Sequence, residues 1–521
     1  MTVLIFLLLY ICCAGTITVF ALAEAWLAWK TLRTSQVFPK LRPPMVTGAL
    51  PKVLIQLPIY NESSVIERLL QTISKIDYPA TLLTVQLLDD STDETTQIAA
   101  HAISQLLKNQ NFSISHVRRS SRLGFKAGAL QHGLEIDKGQ SEFIAIFDAD
   151  FIPEADFLRR TIPYFSDRSV GMVQTKWQHV NEAESIVTKI MALAIDNHFV
   201  VQHGGRQAAN GFINFNGTAG VWRRAAIDAA GGWADDSLTE DLDLSFRCQI
   251  AGWKCLYVRD IETPSELPAT LSGLRTQQFR WTKGSTEAAL KLSGPVLRSN
   301  VSPRTKLLAI LQLFSGIQFP FALVFGIAAL GYHFQTSDHG LRFMQLSAAL
   351  MLTSTLAISF SYIISQRTLG RGSIRDVWRI FWRTQLFSIF AVGFGFMNTW
   401  ANLEALIGYK TEFVRTPKSG ATGNNSFIPQ GSVGNKRFSK FIVFEIALTL
   451  LFAFAAVHAF IQWRATVFPL LPIFMFYAAG LGTIVFLSWR EVKTSNKKQK
   501  FMAHGDTAFM RTLKIISLSR K

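Results

Sequence analysis

The run Phe143-Ile144-Ala145-Ile146-Phe147-Asp148-Ala149-Asp150 is a wholly apolar stretch that ends in two carboxylates one residue apart. A short apolar run of this kind, bounded by polar residues, reads as a strand buried on both faces of a sheet. Its two aspartates then fall at the carboxyl end of the strand, where open α/β sheets take their ligands.

Toward the N-terminus, residues 53–57, 84–88 and 113–117 predict further strands. They alternate with helical patterns over 63–76, 93–107 and 125–134. The alternation predicts an α/β, Rossmann-like domain with a parallel sheet over residues 51–300. No G-x-G-x-x-G follows the first strand, so a dinucleotide cofactor is not expected.

Outside this block the chain is apolar. Residues 3–29 are long enough to cross a hydrocarbon core of about 30 Å, with no Lys or Arg before them and Lys30, Arg33 and Lys40 after. That order predicts an outside N-terminus and a cytoplasmic domain. A cleaved signal peptide is the alternative, but the basic leader is missing. Apolar blocks return at 307–332, 343–364, 380–401, 441–463 and 468–489. Both flanks of 380–401 are basic and the block holds Arg383, Gln385 and Asn398, so it reads as interfacial or re-entrant, leaving five spans. The expected organisation is a first membrane helix (1–30), a linker (31–50), the domain (51–300) and two membrane helices (301–365). An interfacial helix (366–402), a cytoplasmic loop (403–438), two further membrane helices (439–490) and a basic tail (491–521) follow. The formal charge of +17 is explained by this topology and by anionic lipid headgroups, and nucleic acid is not an expected partner. The four cysteines imply no disulfide framework.

Polar pieces recur at the predicted strand ends. Tyr60 and Glu62 follow the first strand, where the ring can meet a nucleotide base or simply form a turn. Asp89 and Asp90 end the second, able to accept hydrogen bonds from a base or ribose. Ser91 and Glu94 also fit a capping box. Lys126 opens a helix whose backbone N–H groups can face an anion. Asp148 and Asp150 are hard oxygen donors suited to Mg²⁺ or Mn²⁺ shared with phosphate. Thr239-Glu240-Asp241 precedes a helical pattern, so Thr239 is either a cap or the start of a site in which Asp241, beside Glu240, is a base. Gln277, Arg280 and Trp281 stand at i, i+3 and i+4, on one helix face. There the guanidinium can fork onto a diphosphate and the indole can stack on a sugar.

In this order, with Val173-Gln174-Thr175-Lys176-Trp177 and Phe215-Asn216-Gly217-Thr218-Ala219-Gly220 between them, the motifs resemble processive, inverting glycosyltransferases of GT-A fold. These are the cellulose synthases and, more closely, the cellulose-synthase-like mannan, glucomannan and glucan synthases. The resemblance implies roles for Tyr60, Glu62, Asp89, Asp90, Lys126, Asp148, Gln277 and Arg280 in donor nucleotide and diphosphate binding. It implies Asp150 with Asp148 at the Mg²⁺ or Mn²⁺, Asp241 as general base, and Trp281, Phe215, Gly217 and Thr218 toward the acceptor. Phe413, Thr416 and Lys418 match a loop that closes over the donor, although Arg415 stands where that family has an apolar residue. The implied reaction is polymerisation of a β-linked polysaccharide from UDP-glucose or GDP-mannose, coupled to export. Implied partners are the nucleotide sugar, the growing polysaccharide and membrane lipids, with a homo-oligomer left open. A single-addition transferase acting on a ceramide-type lipid is the alternative within the enzyme class, and a silent pore or scaffold the alternative outside it. The expected location is a bacterial inner membrane in preference to an endomembrane, and no appended regulatory domain is expected after the last span.

Overall fold

The apolar runs condense into one seven-stranded sheet, held between helices in a computed structural model. It describes residues 2–34, 49–109, 113–335, 341–411, 414, 436–462 and 470–503. The strands are β1 (Val53–Ile59), β2 (Leu83–Asp89), β3 (Ile114–Arg118), β4 (Phe143–Ile146), β5 (Val170–His179), β6 (Gly220–Arg223) and β7 (Lys254–Ser265). Their order across the sheet is β3-β2-β1-β4-β6-β5-β7. β1 runs parallel to β2 and β4, β2 to β3, and β5 to β7. β6 is antiparallel to β4 and β5, so the sheet is mixed where an all-parallel one was expected. The β6 segment, Gly-Val-Trp-Arg, has too few residues for a strand period to show in the sequence.

β1 and β4 are buried almost throughout, as continuous apolar strands covered on both faces should be. Two glutamines interrupt that pattern for a reason. The buried Gln56 and Gln86 donate from Nε2 to the carbonyls of Leu130 (3.1 Å) and Gly133 (3.0 Å). Both Nε2 groups are thereby paired, and the helix Phe125–Asp137, which begins with the Lys126 turn, is fixed in register on the sheet. The helix expected over 63–76 occupies only Ile66–Ile73. The capping box does not form either. The next helix starts at Thr95, whose N–H is met by the Asp93 side chain, while Ser91 Oγ accepts instead from Asn61 N at 2.9 Å.

Among the described residues five helices are long and apolar enough to cross a membrane: Leu4–Thr34, Pro303–Gln335, Gln345–Thr368, Lys440–Gln462 and Leu471–Thr494. The block expected not to span is a pair of helices, Val377–Gly393 and Gly395–Leu406, bent by 51° at their junction. If that pair were one crossing the count would be six.

Charged contacts join the domain to these helices. Arg275, in the long helix Leu271–Arg298, forks onto Glu445 of the Lys440–Gln462 helix at 3.1 and 2.5 Å. Ser272 of the same helix donates to Glu491 at 2.5 Å, and Arg371 meets the buried Asp196 at 2.7 Å. With 4% and 0% of their side chains exposed, Arg275 and Glu445 are a pair whose disruption typically costs about 3–5 kcal/mol, because one charge is left buried alone. The helix Leu271–Arg298 also approaches the Thr239 turn closely. A Cβ on Gly284 would lie 2.6 Å from Thr239 Cγ2 and 3.0 Å from Leu238 C. Gly284→Val is therefore expected to force the Thr239 turn off the helix, costing about 1–3 kcal/mol in a thermal melt.

Candidate active site

A solvent-open cleft lies along the carboxyl ends of β1, β2 and β4. It is lined by Tyr60, Glu62, Asp90, Lys126, Asp148, Asp150, Gly217, Glu240, Asp241, Gln277, Arg280 and Trp281, so most of the residues singled out above share one cleft.

One end of the cleft is built on the β1 and β2 ends. The Arg122 guanidinium lies 3.4 Å from the centroid of the Tyr60 ring, and Arg119 forks onto Asp90 at 3.0 and 2.5 Å. Neither arginine had been given a role, although both belong to the basic run that follows β3. Glu62 is buried at the cleft, and its carbonyl accepts from Val65 N, beginning the next helix. Asp89 is not part of this wall. Strand alternation turns it inward, 1% exposed, where it accepts from Ser91 N at 2.8 Å and pairs with His116 Nε2 at 2.8 Å. Burial alone would raise its pKa, but these hydrogen bonds prevail and hold it at about 2. Asp89 is a structural carboxylate.

At the centre, Lys126 Nζ donates to Asp148 Oδ1 (2.5 Å) and to the Gly217 carbonyl (2.8 Å). Gly217 has φ +83°, and a Cβ there would lie 3.1 Å from Asp241 Oδ2 and 3.3 Å from Lys126 Nζ. Only glycine keeps both groups around that turn. Asp150, 1% exposed, accepts from Glu266 N at 3.2 Å, and Glu266 is held by Arg68 at 2.6 Å. Among the described residues no three His, Cys, Asp or Glu side chains converge as a complete metal cage. Asp148 and Asp150 supply the hard oxygens a small divalent cation takes, and the cation would need further oxygens from a ligand.

The far end belongs to two helices. Asp241 lies in the first turn of Glu240–Ile250 and accepts from Leu242 N at 2.8 Å. Burial and the Glu240 carboxylate push Asp241 up to about 7, against the pull of Lys126 and Arg280. Thr239 makes no side-chain cap, which removes the plain capping reading of this motif. Opposite stand Gln277, Arg280 and Trp281 on the helix Leu271–Arg298. Among the described residues Gln277 Oε1 and Trp177 Nε1, both at the cleft, have no hydrogen-bond partner. A buried polar atom in that state costs about 1–3 kcal/mol unless a ligand meets it.

Two expected acceptor residues are behind the wall instead of on it. Phe215 is fully buried, its ring edge-on to Trp222 at 5.6 Å, and Thr218 Oγ1 accepts from Asp148 N at 2.8 Å. Between them Asn216 and Gly217 reach the cleft, where the chain turns at the positive φ of Gly217. Phe413, Thr416 and Lys418 lie outside the described residues.

The model of the family described as "Glycosyltransferase like family 2" matches residues 51–284. Glucomannan 4-beta-mannosyltransferase 7 of Arabidopsis thaliana is 30% identical over 445 residues, 84% of this chain and 78% of that protein. The chain belongs to glycosyltransferase family 2. Within this family, the probable glucomannan 4-beta-mannosyltransferase 7 of Oryza sativa subsp. japonica is 43% identical over 252 residues, which are 48% of this chain and 43% of that protein. The chain thus spans under half the length of the rice relative. A solved mannosyltransferase, PcManGT from Pyrobaculum calidifontis in complex with GDP-Man and Mn2+, superposes with TM-score 0.51 at 19% identity, over 70% of this chain and 98% of that one. That likeness establishes the GT-A fold of the family 2 domain. The named relatives are plant proteins, so a bacterial inner membrane receives no support.

The placements predict opposite effects on stability. Asp89→Ala strips an acceptor from Ser91 N–H and His116 and is expected to lower stability by about 1–3 kcal/mol. Gln277→Met removes an unpartnered oxygen and is expected to leave stability unchanged or raised. Thermal melts of the two variants check both.

Proposed function

We propose that this family 2 chain is a membrane-embedded inverting hexosyltransferase that polymerises a β-linked polysaccharide of mannan, glucomannan or glucan type from a nucleotide-diphosphate sugar. GDP-mannose is the preferred donor, since the relatives named above are mannosyltransferases and PcManGT was solved with GDP-Man. The family 2 domain faces the cytoplasm, and the five apolar helices give the product a way across the bilayer. The observation that carries the reading is one cleft in which the Asp241 carboxylate, pushed up by burial and by Glu240, meets Lys126 and Arg280.

In this reading the donor nucleoside lies between Tyr60 and Asp90, and its diphosphate at Lys126 and Arg280. Asp241 takes the proton of the acceptor hydroxyl, whose oxygen attacks the anomeric carbon from the face opposite the diphosphate. The bond to the diphosphate breaks, the nucleoside diphosphate leaves, and the configuration inverts. Lys126 and Arg280 meet the charge that grows on the leaving oxygens. Trp281 and Gln277 orient the acceptor sugar, the first by stacking and the second by accepting a hydrogen bond from a sugar hydroxyl. Mg²⁺ or Mn²⁺ at Asp148 and Asp150 would supply Lewis-acid stabilisation of the diphosphate. A base with its pKa near the working pH transfers protons most effectively, which is the state that Glu240 and burial impose on Asp241.

Incorporation of radiolabelled sugar by membrane vesicles, from GDP-mannose and from UDP-glucose in separate assays, tests this. Polymer from GDP-mannose is expected, abolished by chelator and lowered about 10²–10⁴-fold in Asp241→Asn. Label confined to an organic-extractable lipid would replace polymerisation by single addition, and no transfer from either donor would overturn the reading. The pH dependence has a definite sign. Asp241 must be unprotonated to act, so kcat/KM is expected to rise with pH and level off above about 7, falling about ten-fold per unit below that.

A further inference from the structure

The side chain of Asn216, a cleft residue, leads away from the cleft into the membrane region through an unbroken series of hydrogen bonds. Asn216 Oδ1 faces His203 Nε2 at 2.8 Å, and Asn216 Nδ2 faces His198 Nε2 at 2.8 Å. His198 Nδ1 faces Gln202 Oε1 at 2.8 Å, and Gln202 Nε2 faces both oxygens of Glu24 at 3.2 and 3.3 Å. Glu24 belongs to the Leu4–Thr34 helix. Ionisable residues within apolar spans are costly and mark function.

The chemistry of these groups allows a single direction. An amide oxygen only accepts, so His203 donates to Asn216 and Asn216 donates from Nδ2. His198 Nε2 must then be the bare nitrogen, which puts its proton on Nδ1, toward Gln202 Oε1. Gln202 is left to donate to the carboxylate, where the series ends. The arrangement requires His198 neutral and a proton on Nε2 of His203. Burial lowers His198 to about 4 and His203 well below its ordinary value, so the series is intact through neutral pH. The buried Arg206 interacts electrostatically with Glu24, and Asn197 and Ser361 add donors to the same carboxylate at 2.7 and 3.3 Å.

Local structure makes the convergence possible. Residues His198–His203 form a π-helical turn. An α-turn of 3.6 residues points side chains five apart in different directions, whereas the wider turn brings both imidazoles to one amide, their ring centroids 4.6 Å apart. Single π-turns of this kind recur at functional sites. The backbone of Asn216 is pinned as well, its N–H donating to Gln174 Oε1 of β5 at 2.8 Å. The next residue is Gly217, whose carbonyl receives Lys126.

We propose that Asn216 is a positioning residue of the transfer site, held by Glu24 of the first membrane helix through Gln202 and His198, so that the turn bearing Gly217 keeps Lys126 and Asp241 in register. The proposal rests on the transfer reaction proposed above. Its loss would lower turnover more than it weakens nucleotide binding, because Tyr60, Asp90 and Arg122, at the other end of the cleft, hold the nucleoside independently of the turn.

The test is a double-variant cycle on the full chain in lipid nanodiscs, with Glu24→Ala, Asn216→Asp and both together. Turnover at saturating GDP-mannose is read beside GDP affinity by calorimetry. Asn216→Asp keeps the acceptor for His203 and deletes the donor to His198. Each single variant is expected to lose about ten-fold in turnover with a much smaller loss of GDP affinity, and the double variant no more than the worse single one, as for residues in one network. Glu24→Gln, which keeps an acceptor oxygen for Gln202, is expected to restore most of the rate. Losses that multiply in the double variant, or a Glu24→Ala rate equal to that of the parent chain, would overturn the proposal. If Glu24→Ala loses GDP affinity through misfolding, Gln202→Met takes its place under the same criteria. If the parent chain transfers no sugar, the function proposed above fails, and amide hydrogen exchange of residues 214–219 decides instead. Faster exchange in Glu24→Ala supports the tie, and unchanged exchange refutes it.

Discussion

The Arg275–Glu445 pair is the contact on which the arrangement of the site depends. Neither side chain reaches water, so each charge is tolerable only beside the other, and the helix Leu271–Arg298 cannot leave the Lys440–Gln462 helix without exposing one of them to an apolar surrounding. From that fixed point the same helix carries Gln277, Arg280 and Trp281 into the cleft. At Gly284 it meets the Thr239 turn at backbone distance. The general-base candidate and the arginine proposed to meet the diphosphate are therefore placed by a contact made at the membrane.

The other wall has a different origin. Tyr60, Asp90, Asp148 and Asp150 sit at strand ends, and their spacing follows from the pairing of β1 with β2 and β4. Lys126 is placed from the same sheet through Gln56 and Gln86. The cleft is thus a seam between a sheet edge, rigid by its ladder, and helices hung from the membrane segments.

This division explains what could be read from the chain. Strand ends are announced by an apolar run that stops at a carboxylate, so Asp90, Asp148 and Asp150 were visible, as was the helical face of Gln277, Arg280 and Trp281. Asp89 misled because two adjacent aspartates look alike in sequence, whereas strand alternation turns one outward and buries the other against His116. Phe215 and Thr218 misled because their neighbours Asn216 and Gly217 reach the cleft instead. Arg119 and Arg122 were overlooked because a basic run has no period, and their value comes only from meeting Asp90 and Tyr60 across the cleft. The antiparallel β6 and the π-turn at His198–His203 are decided by long-range packing and leave no local mark. Glu24 was hidden in an apolar segment whose average character was all that a hydropathy reading uses.

The bend between Val377–Gly393 and Gly395–Leu406 has a mechanical consequence. The second half packs on the Leu271–Arg298 helix and the first on the Leu471–Ala503 helix, so the hinge bridges the catalytic seam and the bilayer. A membrane that thins or thickens meets apolar helices of fixed length and makes them tilt. Here such a tilt bears directly on the helix that carries Gln277, Arg280 and Trp281, so the thickness of the bilayer bears on the shape of the cleft as well as on the anchoring.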